Sequence, residues 1–273
     1  MFRNPRAHIL SQYLECKHDD WGKWITNGTS FPREGSDEAG FDEWLNHFLT
    51  ESKLHELDPV DHSYSDFRCY NPWNMQSRYL TRGRPSFMKG QPRYAFNRHL
   101  PGHHAYSAED IEPAASQVVH SLNDLAWIGV VELFSESLCL LEYQFKGEFP
   151  ETCTCSSPHR GETESHESHH VPAHDVKNLT RGVLEKVDRL SSIDSIAYSI
   201  SLALVLNRIR TLELAQRSQI ICPDKLKDIR FQLEYIPSAV AAIDCYAQGK
   251  IISLHSSTAL PMRPTYPSCQ SVS

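Results

Sequence analysis

The 273-residue chain has no run of about 20 apolar residues, the length a membrane-spanning helix needs. The nearest approach, Ile196 to Leu206, stops at Asn207 and Arg208 and reads as a buried helix. No Gly-x-x-x-x-Gly-Lys-Ser/Thr phosphate loop occurs anywhere. No signal peptide is visible, because Met1 runs straight into Arg3 and a capped turn. Positive charge is not in excess: the formal net charge of −7 argues against a protein that binds nucleic acid over its whole surface. The eight cysteines are sparse and irregular, unlike a small disulfide scaffold, so they leave the redox compartment open. Asn27-Gly28-Thr29 and Asn178-Leu179-Thr180 are glycosylation acceptors if the chain enters the secretory route.

What is present begins at the first residues. Asn4 suits an N-cap and Pro5 the first helical position, where its missing N–H costs nothing. Ile9, Leu10, Tyr13 and Leu14 recur at helical spacing and supply a face to bury. Arg3 before the cap and Ser11 two turns in could both reach an anion beside the helix, whose N-terminus itself favours negative charge. The plainer alternative is a capped surface helix preceded by an arginine.

Further along, residues 41–50 read as a short helix with Phe41, Trp44, Leu45 and Phe48 on one face. Residues 67–108 carry seven cations (Arg68, Arg78, Arg82, Arg84, Lys89, Arg93, Arg98) and no acid, interleaved with aromatics such as Tyr70, Trp73 and Tyr79. Arginine forks match sulfate, phosphate or carboxylate oxygens, and aromatic faces can stack on sugar rings. A solvated basic loop is the other reading. A helix over 108–125, a continuous apolar run Trp127-Ile128-Gly129-Val130-Val131 and a helix over 136–145 then follow. Helix, buried parallel strand and helix make the unit of an α/β sheet.

Cys153, Cys155, His159, His166, His169, His170 and His174 include enough ligand types for zinc, but their spacing matches no standard finger, so no metal is expected. Residues 177–189 read as a helix. Ser191 is placed to cap a long core helix from 193 to about 217, with Asp194 reaching back as in a capping box. Residues 218–273 stay unassigned, with a Pro/Ser-rich end expected to be partly disordered.

Four of these stretches resemble one family. Arg3-x-Pro5-x5-Ser11 followed by Gln12-Tyr13 is similar to the 3′-phosphate-binding motif of the PAPS-dependent sulfotransferases of the Golgi carbohydrate type. Asn74-Met-Gln76-Ser77-Arg78-Tyr-Leu80 resembles that group's Asn-x-Gln-Thr/Ser-Arg-x-Leu stretch. Trp127 to Leu141, with Gly129-Val130-Val131-Glu132 at its centre, looks like its Val-Gly-x-Thr-Glu strand and following helix, with Val131 where Thr is usual, and Leu190 to Tyr198 resembles its terminal Leu-Thr-x-x-Asp…Tyr helix.

The resemblance implies a P-loop NTPase-like α/β fold, a parallel sheet flanked by helices, over residues 1–217. It implies PAPS as donor, a carbohydrate or other hydroxyl acceptor, and a Golgi location, luminal or membrane-associated. Arg3 and Ser11 would hold the donor's 3′-phosphate, and Arg78 would be a second anion contact on the substrate side. A Cys-x-Cys before a loop also occurs in relatives, where a disulfide or packing role is implied.

In the family, the loop gripping the 5′-phosphosulfate and the catalytic base precede the 3′-phosphate motif. The catalytic residue is therefore unknown here, and the expectation is an N-terminally truncated chain that transfers sulfate poorly or not at all. The alternative is a non-catalytic anion- or glycan-binding module built on the basic aromatic stretch.

Overall fold

The computed structural model describes residues 1–50, 69–82, 113–157, 171–172, 174–254 and 267–270. These residues are mostly helical: α1 (Pro5–His18), α2 (Asp20–Ile25), α3 (Asp37–Leu49), α4 (Met75–Arg82), α5 (Ala115–Asn123), α6 (Phe134–Lys146), α7 (Arg181–Leu190), α8 (Ser192–Gln216), α9 (Pro223–Gln232) and α10 (Pro237–Ala247). β1 (Ile251–Leu254) and β2 (Pro267–Gln270) pair antiparallel, with Ile252 opposite Cys269. The chain divides into two compact units. The first holds residues 1–4, 119–166 and 195–273, and the second holds 5–118 and 167–194.

This corrects the expected α/β fold, because no parallel sheet forms among the described residues. The apolar run at 127–131 makes a single parallel bridge, Val130 to Phe2. Phe2 N–H donates to Gly129 O (2.8 Å), and Val131 N–H donates to Phe2 O (2.8 Å). On the C-terminal side the pairing stops because α1 opens at Pro5, while Val131–Leu133 turns into a 3-10 segment that leads into α6. A short apolar run buried beside a turn has the same composition as a buried strand.

The second unit is built on the face that the first helix offers. Ile9, Leu10, Tyr13 and Leu14 of α1 pack with Phe41, Trp44 and Leu45 of α3, with Trp73, and with Val183, Val187 and Leu190 of α7. Each fully buried apolar side chain contributes about 1.5–3 kcal/mol. Tyr13 is the hub, its ring lying 5.3 Å from Phe41, 5.6 Å from Phe31 and 5.8 Å from Trp44. Its hydroxyl donates to Pro32 O at 3.1 Å, which satisfies the phenol in the middle of the cluster. Ser36 caps α3 through the Ala39 N–H, and Asp19 caps α2 through Trp21. Cys16, fully buried in this core, is joined to Cys69.

The first unit is held by three disulfides, Cys139–Cys153, Cys155–Cys222 and Cys245–Cys269. With Cys16–Cys69 they engage every cysteine. Most of α8 lies in this unit and is apolar on several sides, with Ala197, Leu202, Val205, Leu206 and Ile209 buried. Among the described residues no single helix is long and apolar enough to cross a membrane. Asn207 clamps β1 like a neighbouring strand: its amide accepts from Ile252 N–H (2.8 Å) and donates to Ile252 O (2.7 Å). Within the stretch that the sequence left unassigned, Pro223 and Pro237 each sit in the first turn of a helix, as their fixed φ favours.

Candidate functional site

The candidate site begins at Arg3. The bridge at Phe2 sets this residue beside the Gly129 to Glu132 stretch, so two of the family-like stretches are hydrogen-bonded neighbours. Asn4 N–H donates to one oxygen of Glu132 at 2.7 Å. The Tyr198 hydroxyl, from α8, donates to the other at 2.9 Å. Tyr235 closes the network by donating to Asn4 Oδ1 at 2.5 Å. Residues 3–4, 132, 198 and 235 thus meet in the first unit around one carboxylate.

Burial sets the electrostatics of this cluster. Glu132 is pushed above the ordinary carboxylate range by desolvation, opposed by the Asn4 N–H, the Tyr198 hydroxyl and the charge of Arg3. Desolvation lowers Arg3, and the neighbouring Glu132 charge raises it in return. Tyr198 is held well above the usual phenol value by burial and then by Glu132, so its hydroxyl stays protonated and acts as a donor. The cluster therefore offers a half-buried guanidinium within the electrostatic reach of a carboxylate already engaged on both oxygens. Such an arrangement can orient a cation toward an anionic ligand.

Helix α1 follows at once. Its first turn contains no acid, against the usual bias of helix N-termini, and contains Arg6. Arg6 grips Asp188 of α7 with two bonds of 2.7 and 2.6 Å, which makes it a fastening within the second unit. Ser11 sits half-buried on α1 in that second unit, while Arg3 belongs to the first.

Arg78 lies on α4, also in the second unit, and donates to Asn71 O at 2.9 Å. Its positive charge also acts on Asp194. The structure thus gives Arg78 a local role in holding the 71–78 turn. The remaining basic stretch, residues 83–108, lies outside the described residues, as do His159, His166, His169 and His170. Cys153 and Cys155 are bonded to Cys139 and Cys222 and so offer no thiolate to a metal in this state.

The expected capping box at Ser191 is replaced by a longer-range arrangement. Ser191 Oγ donates back to Val187 O (2.9 Å), and Asp194 reaches Gln76 and Ser77 instead of its own helix start. Glu132, Tyr198 and Tyr235 form part of the site that the motif comparison did not single out as functional. Nothing in their spacing announces that they converge on Asn4. No protein-family model, curated protein or solved structure matches the chain.

Proposed function

We propose that this protein is sulfotransferase-like and binds the 3′-phosphate of PAPS through Arg3, as the donor side of sulfuryl transfer to a carbohydrate hydroxyl. One observation carries the reading: the stretches that resemble the family are joined to each other in pairs. The Arg3 stretch is bridged to the Val131-Glu132 stretch, and Glu132 accepts from Tyr198 of the terminal-helix stretch. The Asn74 to Arg78 stretch is joined to Leu190 and Asp194 by backbone and side-chain hydrogen bonds. Four chance resemblances scattered along a chain carry no reason to interlock in this way.

Sulfuryl transfer by in-line displacement needs positioning and charge stabilisation. A guanidinium near an engaged carboxylate supplies donors that match phosphate oxygens. The reading rests on Arg3 alone, since Ser11 belongs to the other unit. The four disulfides and the exposed positions of Asn27 and Asn178 support an oxidising, secretory-route compartment such as the Golgi lumen. Calorimetric titration tests the reading, with 3′-phosphoadenosine 5′-phosphate against adenosine 5′-phosphate on the full chain. Tighter binding of the 3′-phosphorylated nucleotide, by about tenfold or more, is expected for one charge-assisted phosphate contact. Equal binding of the two nucleotides, or none of either, removes the proposal.

A further inference from the structure

The two Asn-x-Thr acceptors of the sequence both fall in the second unit, and the structure leaves both side-chain amides unused. Asn27 and Asn178 are exposed, and neither side chain makes a hydrogen bond among the described residues. Elsewhere the amide nitrogens of Asn46 and Asn207 donate to Asp42 Oδ2 (3.2 Å) and Ile252 O (2.7 Å), while Asn4 and Asn74 are buried. A substituent on any of those four nitrogens would displace a bonded donor or meet the core. On Asn27 or Asn178 it displaces nothing.

Local structure turns each acceptor outward. Thr26 to Thr29 is a β-turn closed by Thr29 N–H to Thr26 O (3.2 Å), with Asn27 at its second position. Gly28 follows at φ 73°, which glycine takes without strain, and a Cβ placed there would meet nothing within 4 Å. Asn178 ends the 3-10 segment Val176–Asn178, which Asp175 caps through the Lys177 N–H at 3.0 Å. Val176 before it and Leu179 after it pack against the core of the unit, while Asn178 itself stays exposed.

One aromatic stands beside the first acceptor. Trp24, in the last turn of α2, is 63% exposed. Asn27 N–H donates to Trp24 O at 3.3 Å, so helical spacing continues to the acceptor and brings positions 24 and 27 to one side. An exposed indole there offers an apolar face to a sugar ring joined to Asn27.

We propose, on the secretory-route reading above and independently of any nucleotide site, that Asn27 and Asn178 carry N-linked glycans and that the first sugar at Asn27 packs on Trp24. Asn Nδ2 bonds to the anomeric carbon of an N-acetylglucosamine that ends a lipid-diphosphate-linked oligosaccharide. The bond from that carbon to the diphosphate oxygen breaks, the lipid diphosphate leaves with the electron pair, and one amide proton passes to a base of the transferring enzyme. In the folded chain Thr29 Oγ1 donates to Thr26 O (2.6 Å) and accepts from Phe31 N–H (3.2 Å). The hydroxyl that the enzyme reads is thus committed after folding. Transfer at Asn27 therefore precedes folding, and the fold has only to leave room.

The full chain is directed into the secretory route of cultured animal cells by a cleavable leader, which supplies entry and leaves only acceptance to be read. Chains from medium and lysate are denatured and treated with peptide N-glycosidase in water enriched in heavy oxygen. Two mobility steps are expected for the unmodified chain, one for Asn27→Gln or Asn178→Gln, and none for the double variant. A variant that folds poorly still gives a count, because glycans are counted on denatured chains. Both asparagines should appear as aspartate carrying the heavy label. No step at all overturns the proposal, and a single step overturns it at the position left unlabelled. Conversion of Asn27 without label marks spontaneous deamidation at Asn27-Gly28 and overturns that site. Before treatment, the glycosylated chain should hold all four disulfides, and reactive thiols in it would show that the fold does not accommodate both glycans. In a Trp24→Ala and Asn27→Gln cycle read by melting temperature, the two losses should not add, and simple addition removes the packing on Trp24. Equal binding of the two adenosine nucleotides by a glycosylated chain removes the sulfotransferase reading and leaves this one standing.

Discussion

Asn74 and Asp194, 120 residues apart, cap each other's helices. Asn74 Oδ1 accepts from the N–H groups of Ile193 (2.9 Å) and Asp194 (3.3 Å) at the start of α8. The Asp194 carboxylate accepts from Gln76 (3.1 Å) and Ser77 (2.7 Å) at the start of α4. Asn74 takes a positive φ of 39°, which asparagine tolerates better than most residues, and its own N–H donates to Leu190 O at 2.8 Å. Asn74→Ala should cost about 1–2 kcal/mol and Asp194→Ala about 1–3 kcal/mol. A double-mutant cycle by urea unfolding should show non-additivity above about 0.5 kcal/mol, whereas simple addition would mean that the two caps act independently.

Glu132 gives the stability a definite pH dependence. Burial holds its folded pKa above the unfolded value of about 4.3. A raised carboxyl contributes fully below about pH 4, and that contribution is lost as pH rises through the folded pKa. Glu132→Gln keeps an acceptor for Asn4 without the charge. Melting temperatures of the two proteins should diverge as pH rises above about 4, with Glu132→Gln gaining relative to the unmodified chain. Parallel curves, or divergence with the opposite sign, would show that the donors around Glu132 outweigh its desolvation.

Gly40 should resist substitution although it sits inside α3. An alanine in a helix interior normally gains about 1 kcal/mol over glycine. Here a Cβ at position 40 would meet the Tyr13 hydroxyl and Pro32 O, the latter at 2.9 Å. The backbone carbonyl cannot move aside without disturbing the Tyr13 hydrogen bond, so Gly40→Ala should destabilise by about 1–3 kcal/mol. Tyr13→Phe in the same chain should recover part of that loss in thermal unfolding. No recovery would place the clash at Pro32 alone.

The cross-links should differ in effect according to the loops they close. Cys16–Cys69 spans 53 residues and Cys139–Cys153 spans 14. Loop-closure entropy assigns about 4 kcal/mol to the first and about 3 kcal/mol to the second. Paired Cys→Ala variants compared by chemical denaturation should therefore lose more stability at 16 and 69. The full burial of Cys16 strengthens that expectation.

Local signals were legible in the sequence and pairings over distance were not. Pro5 opens α1, and the periodic faces at 41–50, 136–145 and 193–217 mark helices that form within a few residues of the expected bounds. These depend on spacing and caps that a short window contains. The run at 127–131 failed as a strand because composition shows burial, while a sheet also needs a partner that can extend. The opening of α1 at Pro5 stops that extension on the C-terminal side. The cap at 191 failed for a related reason, since Asp194 has the right residue type for a capping box but its acceptors go to Gln76 and Ser77. Cysteine pairing and the meeting of Glu132 with Tyr198 depend on tertiary position, which no spacing encodes.

The most direct test of the donor-site claim is the ratio of affinities for 3′-phosphoadenosine 5′-phosphate and adenosine 5′-phosphate, measured on the unmodified chain and on Arg3→Ala. The account predicts a ratio of about ten or more that falls toward one in the variant, because only the 3′-phosphate contact is lost. A ratio that Arg3→Ala leaves unchanged would contradict it.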